Sequence, residues 1–115
     1  MNKLYLSIVA TIAAFSGLSP PANAAGSGTG NVLAIQAGPA SNNVFVQLSG
    51  TPSGQPACQT NNSWSFVFDS STAVGKNTLA VILSAKALGI TISYVGTNVC
   101  TLYGSVESLS YITQN

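Results

Sequence analysis

One stretch, DSSTAVGKNTLAVILSAKALG at residues 69–89, constrains the fold most, because it is the one long helical pattern among short β-type segments. Hydroxyl side chains at residues 70–72 offer N-caps, and Gly89 stands where a left-handed C-terminal cap is required. Asp69 suits the positive end of a helix dipole, and Lys86 suits the negative end. The stretch therefore predicts one capped helix.

Two other patterns occur in the same stretch, those of a phosphate-binding loop and of a membrane helix. A phosphate loop requires Gly, four residues and then Gly-Lys-Ser/Thr. Here Ser70 replaces the first Gly, and Asn77 follows Lys76. The apolar run LAVILSA is far shorter than the roughly 20 residues that span a bilayer. Both patterns are rejected in favour of the capped helix.

The apolar arc of the predicted helix is wider than one neighbouring surface requires. Its members are Val74, Leu79, Ile82, Leu83, Ala87 and Leu88. A second, milder surface comes from Ala80, Val81, Ser84 and Ala85. Two interpretations remain open: the helix is a wide plug for a small barrel, or it contacts another subunit.

Short segments with β-strand patterns lie on both sides of the helix. They occupy residues 31–38, 43–50, 63–69, 90–96 and 105–112. The turn-forming sequence PASN joins the first two, which predicts a hairpin. In the third, Trp64, Phe66 and Phe68 alternate with smaller or polar residues and are predicted to share one face. We interpret that face as core, with ligand stacking by Trp64 as the alternative.

The resulting order, β-β-β-α-β-β, predicts a mostly β domain with one helix. It is the element order of the OB-fold, a five-stranded Greek-key barrel. An open α+β sheet with the helix on one face has the same order. Strand length, aromatic packing and small size favour the barrel. Residues 25–30, rich in Gly and Ser, are predicted to be a flexible N-terminus.

The first residues of the chain predict export. Lys3 precedes a mostly apolar segment at residues 4–18, and the Ala-Asn-Ala sequence at 22–24 is a small-x-small cleavage site. Because the segment is short for a membrane span, a cleaved signal peptide at residues 1–24 is favoured over an anchor helix. A single domain at residues 25–115 remains.

Cys58 and Cys100 are the two cysteines of the chain. In an oxidising compartment such a pair predicts one disulfide, worth about 4 kcal/mol on the loop-entropy model. The chain contains no histidine, and two sulfurs alone do not make a zinc site. No metal or cofactor is therefore predicted.

Charged residues make up only 4% of the chain. After export, Lys76 and Lys86 balance Asp69 and Glu107, which leaves no basic surface for nucleic acid or anionic lipid. Nor is membrane insertion predicted. The two carboxylates are the only candidates for acid–base catalysis, and one starts the helix while the other falls mid-strand. A non-catalytic, binding role is predicted.

Two segments on either side of the helix, ACQTNNSWSFVFDSS at residues 57–71 and ALGITISYVGTNVC at residues 87–100, carry a resemblance. They resemble the B subunits of bacterial AB5 toxins of the subtilase-cytotoxin and pertussis-like group, over about residues 31–100. Members of that group are exported, disulfide-bonded OB-fold chains that form pentameric rings and bind host glycans. The resemblance implies a secreted homopentamer with a role in virulence, which recognises a host glycan and carries a catalytic A subunit.

The resemblance also points to a glycan site. In sialic-acid-binding members a serine near the start of the first strand contacts the sugar, but here Thr29-Gly30-Asn31 occupies that place. The glycan class therefore stays open. Thr29 and Asn31 are candidate hydrogen-bonding residues. Tyr94 and Tyr103 are candidate stacking residues, with core packing as the alternative, favoured for Tyr94.

In the same group the helices line a central pore, through which the tail of the catalytic subunit passes. Lys76, Leu79, Leu83 and Lys86 are accordingly the candidate oligomer or pore residues. Two other functions are weighed against the B-subunit reading. One is a secreted or periplasmic OB-fold protein-interaction module, such as an inhibitor or surface component. The other is a small hydrolase that uses Asp69 and Glu107.

Overall fold

The computed structural model describes residues 25–38 and 40–115. The predicted signal peptide at residues 1–24 lies outside the described residues. The described part is mostly β with one helix, as predicted. Its elements are, in chain order, β1 (Ser27–Gly30), β2 (Val32–Ala37), β3 (Asn43–Leu48), β4 (Phe66–Asp69), α1 (Ala73–Leu88), β5 (Ile92–Gly96) and β6 (Leu109–Gln114).

The strands form two antiparallel sheets of three strands each, ordered β1-β5-β6 and β2-β3-β4. The predicted hairpin is the β2–β3 pair, in which Ile35 lies opposite Val46, and Val46 in turn lies opposite Phe66 of β4. The predicted closed five-stranded barrel is not confirmed. Between β4 and the segment before β6 there is one isolated parallel bridge, from Val67 to Ser108, instead of a continuous ladder.

Residues 25–30 were predicted to be a flexible N-terminus, and this prediction is wrong for most of them. Residues Ser27–Gly30 form β1, which pairs antiparallel with β5 from Ser27–Val95 to Gly30–Ile92. The Ser27 N–H also donates to the Ser53 carbonyl at 2.9 Å. Pairing satisfies main-chain groups whatever the side chains are, so a Gly/Ser composition did not reveal this strand.

Helix α1 has the predicted caps. Thr72 Oγ1 accepts a hydrogen bond from the Gly75 N–H at 2.9 Å, and Gly89 adopts a left-handed φ of 66°. Gly75 is buried in the first turn, where an added Cβ would collide with the Asp69 carbonyl oxygen. The Gly-Lys pair that resembled part of a phosphate loop thus contains a glycine required by packing.

One core lies between the two sheets and the helix. Phe66 of β4 and Tyr94 of β5 meet there edge to face, with ring centroids 5.3 Å apart. Both sheets and the helix supply fully or almost fully buried apolar side chains, among them Val44, Val46, Leu48, Phe66, Phe68, Ile82, Ala85, Ile92 and Tyr94. Burial of each large apolar side chain contributes about 1.5–3 kcal/mol.

Two strand predictions are corrected in detail. Trp64 does not share a face with Phe66 and Phe68, because β4 begins only at Phe66 and the Trp64 ring lies against Phe45. The last strand begins at Leu109, later than residue 105. Glu107 therefore precedes the strand and does not lie in its middle. Its side chain is completely buried.

The predicted disulfide between Cys58 and Cys100 is present. It joins the loop before β4 to the loop after β5 and indicates an oxidising compartment. Across residues 25–38 and 40–115, no helix has the length and apolar character needed to cross a bilayer.

Candidate functional site

Three aromatic side chains line an open cleft beside the β2–β3–β4 sheet. The Tyr103 ring meets the Phe45 ring edge to face with centroids 5.0 Å apart, and the Trp64 ring is tilted 47° against Phe45 at 5.8 Å. The cleft has a volume of about 300 Å³. Around the rings its wall is completed by Gln36, Gly38, Ala40, Ser41, Asn43 and Asn61. We call it the aromatic cleft.

Strand β3 places Phe45 in this cleft. Its neighbours Val44 and Val46 are buried, so strand alternation turns Phe45 to the other side of the sheet. Gln36 of β2 lies directly opposite Phe45 in the register. At the strand's start, Asn43 Nδ2 donates to the Leu102 carbonyl at 3.2 Å, which holds the loop that carries Tyr103 against β3.

The loop that carries Trp64 is fixed by its own side chains. Asn61 Oδ1 accepts from the N–H groups of Ser63 and Trp64 at 2.8 and 2.9 Å. Gln59 Nε2 donates to the carbonyls of Asn61 and Trp64 at 3.1 and 2.9 Å. The backbone on both sides of the indole is therefore set before any ligand arrives, which limits the entropy lost on binding.

The disulfide adds a covalent tie between the same two loops. Cys58 directly precedes Gln59, and Cys100 lies three residues before Tyr103. Because the bond joins these segments, it restricts the separation of Trp64 and Tyr103. The sequence predicts the bond but does not reveal that it braces a cleft.

A second cleft adjoins the first at Trp64 and Asn61, which line both. It has a volume of about 170 Å³. Leu48, Gly50 and Pro52 form part of its wall. Apart from these and the two shared residues, the wall consists of amide and hydroxyl side chains, namely Gln47, Thr51, Gln55, Gln59, Asn62, Ser63 and Ser65. We call it the polar cleft.

Neither cleft has a charged side chain among its described lining residues. Aromatic faces pack against the C–H faces of sugars, and Asn, Gln and Ser side chains donate to and accept from hydroxyl groups. A concave surface with this combination suits a neutral, hydroxyl-rich ligand.

The sequence-predicted glycan residues fall in three places. Tyr103 lies in the aromatic cleft. Tyr94 is only 2% exposed, its ring is against Phe66, and burial raises the pKa of its hydroxyl. Tyr94 therefore packs in the core, which was the alternative to sugar stacking, and it offers no ring face to a ligand.

Thr29 and Asn31 line neither cleft. Thr29 is exposed on β1 opposite Ser93. Asn31 separates β1 from β2, and its Oδ1 accepts from Thr91 Oγ1 at 3.0 Å. A sugar contact at these two residues stays a prediction. Sequence reasoning did not identify Phe45, although its large ring between buried Val44 and Val46 is a pattern that could have done so.

The residues predicted for oligomer or pore contact lie on one side of α1. Lys76, Leu79, Leu83 and Lys86 follow each other at intervals of three and four residues and so form one stripe. Leu79 packs against the core, whereas Leu83 is 51% exposed. Lys86 Nζ donates to the Leu33 carbonyl at 3.0 Å.

A second stripe lies on the other side of the buried residues of α1. Val74, Val81 and Leu88 recur every seven residues, and Val74 and Leu88 are more than half exposed. Val74 and Val81 form a shallow cleft of about 180 Å³ together with Tyr111 and Ile112 of β6. Exposed apolar side chains therefore lie on both flanks of the helix.

Both carboxylates weighed for catalysis are engaged in hydrogen bonds. Asp69 is partly exposed, and the hydroxyl and N–H of Ser71 donate to it at 2.6 and 2.8 Å, which holds its pKa below the usual value. Glu107 is completely buried, and its carboxylate accepts from the N–H groups of Gly26 and Asn98. Neither residue lines the aromatic or the polar cleft.

No protein family, curated protein or solved structure matches this chain.

Proposed function

We propose that this protein is a secreted, non-catalytic subunit that binds host glycans. The observation that carries the proposal is the aromatic cleft, where Phe45, Trp64 and Tyr103 converge within a wall of uncharged polar side chains. Protein contacts hold both the Trp64 and the Tyr103 loops, so the cleft is prepared for a ligand. The positions of Asp69 and Glu107 outside it support a binding role without catalysis.

The proposal extends to a B-type subunit of an AB5-like toxin, a homopentameric ring that carries a catalytic partner. Its support is the resemblance over about residues 31–100 together with the two flanks of α1. A helix in a ring of subunits needs contacts on both sides, and Leu83 on one flank and Val74 on the other are apolar and exposed.

An OB-type arrangement of the strands belongs to the same proposal. Only Asn31 separates β1 from β2, so the two sheets adjoin there along the chain. They adjoin again at the parallel bridge from Val67 to Ser108, where the Val67 N–H donates to the Glu107 carbonyl at 3.0 Å. If β1 and β2 count as one bent strand, these two junctions give a circular order of five strands, which supports a Greek-key barrel.

Export to the outside or to the periplasm is proposed from the predicted signal peptide and the disulfide between Cys58 and Cys100. Mass measurement of the exported protein would test it. Cleavage after Ala24 gives a chain that starts at Ala25.

A glycan array probed with the exported protein tests the proposed function. We expect binding to a defined set of glycans and a loss of about tenfold or more for Trp64→Ala, as for an aromatic anchor in a binding site. Val99→Ala, which shortens an exposed apolar side chain outside both clefts and outside the apolar cleft beside α1, is the control and should bind normally. Absence of any glycan binding by the folded protein would refute the proposal.

A second function is favoured by the apolar flanks of α1. Val74, Leu88 and Tyr111 are each more than half exposed, as expected for a secreted protein-interaction module such as an inhibitor or surface component. This alternative predicts a monomer or dimer with a co-purifying protein partner. The ring predicts a mass of five subunits in light scattering.

A further inference from the structure

We propose that the bound glycan is neutral and occupies both clefts, so that its chain crosses the Trp64 indole and places at least one sugar unit on each side. The proposal rests on the proposed glycan-binding function and specifies its ligand class. Trp64 and Asn61 are the two residues that line both clefts, and they mark the crossing point.

The size of the clefts favours more than one sugar unit. The aromatic cleft measures about 300 Å³ and the polar cleft about 170 Å³. Pockets for small ligands measure about 300–1,000 Å³, so the aromatic cleft alone is at the lower limit. Joined at Trp64, the two clefts provide a longer site with an aromatic part and a part built of amides and hydroxyls.

No described residue that lines either cleft is charged, which favours a neutral glycan. A sialic acid carries a carboxylate, which proteins bind with Arg, Lys or several convergent N–H donors. The lysines of the described chain are elsewhere: Lys76 and Lys86 lie on α1, and Lys86 donates to the Leu33 carbonyl. Amide side chains such as Gln47 and Asn62 both donate and accept, which matches sugar hydroxyls.

The fixed loop explains how one residue can serve both clefts. Asn61 Oδ1 accepts from the Trp64 N–H and Gln59 Nε2 donates to the Trp64 carbonyl, so the backbone of Trp64 is held on both sides of the residue. The indole also packs against the Phe45 ring, with centroids 5.8 Å apart and the ring planes inclined at 47°. The indole is therefore held in place where it lines both clefts.

The experiment measures dissociation constants for free monosaccharides, neutral oligosaccharides and their sialylated counterparts. The ligands come from the glycan classes that the array identifies. We expect the neutral oligosaccharide to bind about tenfold more tightly than its best monosaccharide, which is the equivalent of one or two additional hydrogen bonds. Sialylation of the same oligosaccharide should not tighten binding.

Two variants separate the clefts. Gln47→Ala removes an amide from the polar cleft only, and we expect it to weaken the oligosaccharide about three- to tenfold while monosaccharide binding is unchanged. Tyr103→Ala changes the aromatic cleft only and should weaken both ligands. Gln114→Ala on β6, outside both clefts, is the matched control for loss of an amide, and melting temperatures confirm that each variant is folded.

The outcomes distinguish this inference from the proposed function. Absence of all glycan binding refutes the function itself. Equal affinity for monosaccharide and oligosaccharide, or an equal effect of Gln47→Ala on both, refutes the two-cleft site while glycan binding stands. Tighter binding of the sialylated ligand refutes the neutral class.

Discussion

Removal of the buried Glu107 carboxylate is expected to destabilise this domain more than any surface change. The side chain is 0% exposed. Its Oε2 accepts from the Asn98 N–H at 2.9 Å and from the Gly26 N–H at 3.1 Å, and Oε1 also accepts from Gly26 at 3.2 Å. It connects the start of β1 with the turn after β5, because Gly26 and Asn98 belong to those segments.

The surrounding backbone is shaped for this carboxylate. A Cβ added at Gly26 or at Gly96 would collide with its oxygens. The pocket is therefore closed to larger residues on two sides, and a smaller side chain at position 107 would leave both N–H donors without their acceptor. Water can replace that acceptor only if it enters the core.

The magnitude follows from the two kinds of substitution. Glu107→Gln keeps the shape and one acceptor oxygen but replaces the other oxygen with an amide NH2 that cannot accept, so we expect a loss of about 1–2 kcal/mol in the free energy of unfolding. Glu107→Ala leaves buried donors unpaired and a cavity, and the expected loss is about 3–5 kcal/mol. For a domain of this size that is a large part of the total stability.

Urea unfolding with the disulfide intact, followed by Trp64 fluorescence, measures both losses at neutral pH. Gln114→Ala, at an exposed position of β6, is the control, for which a change within about 0.5 kcal/mol is expected. The reasoning is refuted if Glu107→Ala is no more destabilising than this control. It is equally refuted if Glu107→Gln costs as much as Glu107→Ala, because the hydrogen-bond geometry would then not matter.

Three further predictions concern the helix. Gly75→Ala should lower the melting temperature markedly, because its Cβ would meet the Asp69 carbonyl, whereas Ala80→Gly at an exposed helix position should cost only about 1 kcal/mol. Hydrogen bonds from Ser71 lower the pKa of Asp69 in the folded state, so the stabilisation that Asp69 contributes should be complete above its usual pKa of 3.8 and be lost as the pH falls below it. In acid titrations, the difference in stability between wild type and Asp69→Asn should therefore shrink below that pH. Val74→Glu should dissociate a ring in light scattering without unfolding the subunit, while Ala80→Glu, at an exposed position of the same helix that does not line the cleft of Val74, should have a smaller effect; an unchanged mass for Val74→Glu would exclude this flank from the interface.

The helix could be predicted in detail because its determinants are local. Thr72 caps the start, Gly89 caps the end, and both signals lie within the segment that they control. The strand runs at β2, β3 and β5 were likewise visible from apolar alternation, and the disulfide from the number of cysteines. In each case the interaction that decides the structure involves side chains close in sequence or has one possible partner.

The failures involve partners that are distant in sequence, except at Trp64, where a side chain three residues away decides the backbone. Strand β1 exists because its backbone pairs with β5, about 65 residues later along the chain, and its Gly/Ser side chains give no indication of that. Trp64 leaves the aromatic alternation because Asn61 captures its N–H in a local turn. Phe45, Trp64 and Tyr103 come from three separate segments, so the aromatic cleft has no continuous sequence pattern.

Gln59 connects the Trp64 loop of the aromatic cleft with the main chain of Glu107. Its Oε1 accepts from the Glu107 main-chain N–H at 2.6 Å, and its Nε2 donates to the Trp64 carbonyl at 2.9 Å. The link uses the backbone of Glu107, whereas stability depends on its carboxylate. Glu107→Gln should therefore lower stability and leave glycan affinity intact, while Gln59→Ala should release the Trp64 loop and weaken binding. If both variants lost stability and glycan affinity in the same ratio, the core and the cleft would respond together. The separate roles assigned to the Glu107 carboxylate and to the Gln59 side chain would then be wrong.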